Sequence, residues 1–105
     1  MRTEVVNKYG IMENSVLTVS VIEARDLKPM DFDGVSDPYV ILECAGQTCQ
    51  TKYHKSTLNP IWEESFTFDI FKGDEILKVL VMDKDAIKSD DFEGQCFIPL
   101  NSLKN

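Results

Sequence analysis

Apolar residues in this chain recur mainly at every second position. In VLTVSVI (16–22), Leu17, Val19 and Val21 alternate with Thr18 and Ser20. That pattern predicts a strand with one buried face. PYVILEC (38–44) is a near-continuous apolar run ending at the turn signal AGQ. QTCQTKYH (47–54) returns as a polar strand, so 38–54 reads as a hairpin. ESFTFDIF (64–71) alternates Phe66, Phe68 and Ile70 against Thr67 and Asp69. EILKVLVMD (75–83) sets Leu77, Val79 and Val81 on one face, and GQCFIPL (94–100) is a sixth short strand. No window of helical length carries a 3.6-residue apolar stripe. The clusters KPMDFDGVSD, KSTLNP, FKGDE and DKDAIKSDD separate the runs. Strands at this spacing predict an all-β antiparallel sandwich. Residues 1–15 are set apart as a lead-in or weak first strand, TEVVNKY followed by the turn GIMENS, before a domain over 16–105.

Composition narrows what such a sandwich can do. A chain of 105 residues holds one domain with one modest core. Hydrophobic residues make up 43%, which excludes a disordered chain. Eighteen acids face eleven bases, a formal net charge of −7, so nucleic acid is excluded as a partner. No apolar run reaches the roughly 18–20 residues of a spanning helix. MRTEVVNKYG lacks the apolar stretch of a signal peptide, and a cytoplasmic location is expected. Cys44, Cys49 and Cys96 are an odd count for a disulfide framework. Cys44 and Cys49 could face each other across a hairpin, but a reducing compartment favours free, small apolar residues on strands. One histidine, His54, and scattered cysteines make no zinc site.

The chemistry lies in two loops. MDFDGVSDPY carries Asp31, Asp33 and Asp37, and MDKDAIKSDDFEG (82–94) carries Asp83, Asp85, Asp90, Asp91 and Glu93. Acidic turns are commonly solvated, since Asp is a frequent turn residue. Asx turns account for one or two such residues per loop, not for two loops this rich. In a sandwich, loops cluster at the ends, where these carboxylates can converge. Calcium takes about 6–8 oxygen ligands from carboxylates and carbonyls on flexible loops; magnesium keeps its waters and fits less well. An EF-hand fails on spacing: from Asp83, position five is Ile87 and position twelve is Gly94, and no flanking helix is visible.

At this point the chain resembles a C2 domain, the calcium- and phospholipid-binding sandwich of protein kinase C and synaptotagmin. LTVSVIEARDL resembles the strand entering the first calcium loop, and MDFDGVSDPYV that loop with its Ser-Asp-Pro-Tyr exit. KSTLNPIWEESFTF resembles the Asn-Pro-aromatic segment, and VLVMDKDAIKSDDFEG the third loop. The likeness covers residues 16–100. It implies an eight-stranded Greek-key β-sandwich, and the present chain is expected to lack the last strand. It implies that Asp31, Asp37, Asp83, Asp85 and Asp91 ligate about two Ca²⁺, joined by the backbone carbonyls of Met30 and Lys84. It further implies that Phe32, Ile87 and Lys88 contact an anionic phospholipid membrane once calcium has reversed the charge of the tip. Asp90 and Glu93 are left as solvated neighbours.

Several positions depart from the family pattern. Asp33 adds acid where relatives are often neutral. Ala86 stands where a basic residue is common. QTCQTKYHK offers only Lys52 and Lys55 where some relatives carry a polybasic strand, so that stretch reads as a solvated face. Three explanations of the missing strand stay open: a fragment of a longer signalling or trafficking protein, a strand supplied by exchange or dimerisation, or a gap filled by the N-terminal segment. The leading expectation is a calcium-dependent membrane-targeting module, cytoplasmic and peripheral on the membrane. The alternative is a calcium-independent protein-interaction scaffold. An enzyme is not expected, because no nucleophile–base pair or acid/base dyad stands out.

Overall fold

The computed structural model describes residues 2–7, 15–29, 34–70 and 76–100. Among them are seven strands: β1 (Arg2–Asn7), β2 (Ser15–Glu23), β3 (Pro38–Cys44), β4 (Gln47–Gln50), β5 (Ile61–Ile70), β6 (Ile76–Asp83) and β7 (Asp91–Pro99). They form two antiparallel sheets, one in the order β1-β2-β5 and one in the order β4-β3-β6-β7. After the β3–β4 hairpin the chain returns to lay β5 beside β2, then crosses again to lay β6 beside β3. These interlocked returns are of Greek-key type.

The alternating residues supply the core. Leu17, Val19 and Val21 from β2 are fully buried, with Val40 and Leu42 from β3, Phe68 and Ile70 from β5, and Leu77 and Val79 from β6. Burying a side chain of this size contributes about 1.5–3 kcal/mol. Trp62 closes one end of the core, its indole N–H donating to the Pro38 carbonyl. Phe66 is only partly buried and packs at the margin.

β4 and β7 differ from their sequence expectations. β4 stops at Gln50 rather than reaching residue 54. Beyond it, the Lys52 N–H turns to Glu64 Oε2 on β5, and the His54 N–H donates to the Pro38 carbonyl. β7 starts at Asp91, earlier than the apolar pattern suggests. Within 1–15, the chain runs as β1 from Arg2 to Asn7 and pairs along β2. Cys49 lies opposite Leu42, and Cys44 opposite Gln47, so the two thiols are not cross-strand partners; none of the three cysteines is in a disulfide.

Candidate calcium-binding tip

The core stripe of β6 runs Leu77, Val79, Val81 and ends in Asp83, which is 1% exposed. Alternation alone carries this carboxylate onto the inner face at the strand end. Its neighbours come from the strands on either side. Pro38 of β3 is its partner on one flank, and Asp91 of β7 on the other. The Asp37 N–H donates to Asp83 Oδ1 at 2.7 Å, and the Lys84 N–H donates to the Asp37 carbonyl at 2.9 Å. Asp37, Asp83 and Asp91 therefore stand on consecutive strand ends of one sheet.

A β-bulge puts Asp91 there. Val81 pairs with Gly94 but Met82 pairs with Phe92, so Glu93 is the extra residue. Without it, Asp83 would face Phe92. With it, Phe92 turns to the outer face, half-exposed, and Asp91 meets Asp83. Both Glu93 carboxylate oxygens are shielded from solvent, which corrects the expectation of a solvated side chain.

The first loop is held by the Asn-Pro segment. The Ala24 and Leu27 N–H groups donate to the carbonyls of Pro60 and Leu58, and the Asp26 N–H donates to Asn59 Oδ1. At the loop's exit, the Thr57 N–H donates to the Ser36 carbonyl, and the Ser56 N–H donates to Asp37 Oδ1 at 2.7 Å. Met30, Asp31, Phe32 and Asp33 lie outside the described residues.

The third loop is ordered by its own carboxylates. Asp85 Oδ1 accepts the N–H groups of Ile87 (2.8 Å) and Lys88 (3.1 Å). Those two bonds hold the Asp85 carboxyl below the usual carboxylate range. Asp90 is the second correction, for it is a hub rather than a solvated neighbour. Its Oδ2 accepts the Tyr39 hydroxyl at 2.5 Å, its Oδ1 accepts the Asp85 N–H at 2.8 Å, and Lys84 Nζ stands 3.8 Å away. The Tyr39 hydrogen bond, then the Asp85 amide, lower the Asp90 pKa. Burial, helped by the Asp90 bond and charge, pushes Tyr39 up to about 12, so its hydroxyl stays a donor. Asp91 Oδ1 pairs with Lys88 Nζ at 3.5 Å. Ile87, between these charges, is 98% exposed. Lys52 and Lys84 line one open groove with Tyr39, Gln50, Thr51 and Tyr53.

The fold thus brings Asp37, Asp83, Asp85 and Asp91 to one end, with Lys84 between two of them. Among the described residues no three acidic, histidine or cysteine side chains form a ready metal-holding group. Each of the four has one oxygen turned to a protein donor or cation. As a donor set they suit calcium, which takes hard oxygen ligands from flexible loops.

The family model of the C2 domain matches residues 15–105. The chain belongs to the C2 domain family. This C2 domain is 43% identical over 89 residues to the mouse Multiple C2 and transmembrane domain-containing protein 1, covering 84% of the chain and 9% of that protein. It is 44% identical over 93 residues to synaptotagmin-1 of Aplysia californica, covering 83% of the chain and 22% of that protein. The solved pair of C2 domains of extended-synaptotagmin 2, calcium bound, matches at 31% identity and a TM-score of 0.76, covering 89% of this chain and 36% of that one. The chain thus spans about a tenth of the length of the mouse protein.

Proposed function

We propose that this C2 domain is a non-catalytic, calcium-dependent membrane-docking module. The observation that carries the reading is the gathering of Asp37, Asp83, Asp85 and Asp91 at one end, with Ile87 98% exposed beside them. The family resemblance adds Asp31 and the backbone carbonyls of Met30 and Lys84 to the ligand set. The calcium-bound state of extended-synaptotagmin 2 and the kinship with synaptotagmin-1 support it.

Bound calcium would supply positive charge: two ions take the formal net charge from −7 to −3, with the change confined to the tip. Everything else is done by the chain. In the metal-free tip, crowded carboxylates repel anionic headgroups. Lys88 satisfies Asp91 by ion pairing, as a built-in counter-charge. When Asp91 is engaged by a stronger cation, the Lys88 ammonium is free to meet lipid phosphate. Ile87 and Phe32 then supply apolar contact at the bilayer interface, where tip charge and buried apolar area act together.

The decisive test is a calorimetric Ca²⁺ titration with and without phosphatidylserine-containing vesicles. Expected is heat from about two ions and an apparent affinity that rises when vesicles complete the ions' shells. No calcium heat in either condition, with the domain still folded, contradicts the reading and favours a protein-interaction scaffold.

A further inference from the structure

Asp90 has no place in the ligand set, yet both of its carboxylate oxygens are engaged within the tip. Its Oδ1 accepts the Asp85 N–H across the loop, and its Oδ2 accepts the Tyr39 hydroxyl. Lys84 adds its charge at 3.8 Å. Tyr39 is not part of that loop. It belongs to β3, two residues after Asp37, and is 6% exposed. A rigid, nearly buried side chain from the strand leaving the first loop thus holds the carboxylate that closes the third.

We propose that Asp90 is a positioning residue, latched by Tyr39, that fixes the third loop so that Asp85 and Asp91 are presented together with Asp37 and Asp83. The proposal rests on the calcium reading above. Three features carry it. Asp90 directly precedes Asp91, so fixing its side chain fixes where β7 begins. Its other oxygen fixes the amide of Asp85, whose own carboxylate shapes the turn at Ile87 and Lys88. The anchoring hydroxyl comes from the strand that carries Asp37 at its entrance, so the latch sets one loop against the other. Preorganised carboxylates bind a cation more tightly because less ordering remains to be done on binding.

The test separates position from charge. Tyr39→Phe removes the latch and leaves every formal charge in place. Expected for the full chain is a Ca²⁺ affinity about 3–10-fold weaker, the scale of one ordinary intramolecular hydrogen bond felt at the ligands through the loop. Faster hydrogen exchange at the Asp85 amide in the metal-free protein should accompany it. Asp90→Glu, which keeps the charge but displaces the carboxylate, should weaken calcium similarly. Asp90→Asn combined with Tyr39→Phe should be little worse than Asp90→Asn alone, since the two residues act as one unit. A purely structural role would lower the melting temperature and leave the calcium affinity of the folded variants unchanged. That result, or wild-type affinity in both Tyr39→Phe and Asp90→Glu, overturns the proposal. If the wild type itself takes no calcium, the calcium reading fails. Asp85 amide exchange in the metal-free variants then judges the latch, and unchanged exchange overturns it.

Discussion

Ile87 and Lys88 are neighbours to which the proposed docking gives opposite tasks. The Ile87 side chain is 98% exposed. Ile87→Ala should therefore leave the thermal midpoint within the scatter of surface substitutions, about ±0.5 kcal/mol. Vesicle binding in calcium should still fall, by about tenfold or more, since most of an isoleucine side chain entering an apolar phase is worth about 1.5–3 kcal/mol. Equal vesicle affinity would remove Ile87 from the docking surface. Lys88 is an ion-pair partner of Asp91 at 3.5 Å. Lys88→Gln should tighten lipid-free calcium binding by about 2–5-fold, because exposed pairs of this kind are worth about 0.2–1 kcal/mol. The same change should weaken docking to anionic vesicles. Calorimetry and co-sedimentation read the two effects separately, and matching signs in both assays would contradict this dual role.

At the level of elements, the β3–β4 hairpin turns through Ala45 and Gly46, both at positive φ (53° and 74°). Two residues in this region are the mark of a type I′ turn, which matches the twist of the strands it joins. A Cβ added at Gly46 would meet nothing within 4 Å, so a substitution there tests backbone strain alone. Gly46→Val should cost about 1–2 kcal/mol, read as a lower midpoint in denaturant; no change would show that the turn rearranges. The alternation of β2, β5 and β6 was legible from the chain because one face of each is buried. The early end of β4 was not, since it depends on Lys52 finding Glu64 on another strand. The start of β7 was hidden for a related reason. The bulge at Glu93 switches which face each preceding residue takes, and no period-two count reveals it. The family likeness picked Asp91 as a ligand and left Asp90 a solvated neighbour, because the Tyr39 bond comes from another strand. The adjacent Tyr of Ser-Asp-Pro-Tyr was the available hint, because a nearly buried tyrosine needs a partner for its hydroxyl.

At the scale of the molecule, the two sheets are unequal among the described residues, three strands against four. β5 lies against the β4 edge, where the Gln47 side chain bonds both the N–H and the carbonyl of Asp69. Cys96 pairs with the buried Val79 and shares its face, yet is itself exposed. Among the described residues, β1 has no neighbour beyond β2. The acidic tip is at the end of the molecule defined by Asp37, Asp83 and Asp91, in a chain of net charge −7, and the proposed function turns on calcium offsetting that charge. Co-sedimentation with phosphatidylserine-containing vesicles tests this most directly, comparing calcium with chelator for the wild type and for Asp83→Asn with Asp85→Asn. Expected is wild-type binding in calcium alone, falling with added salt, and loss of binding in the double variant; equal sedimentation in calcium and chelator would contradict a calcium-operated tip.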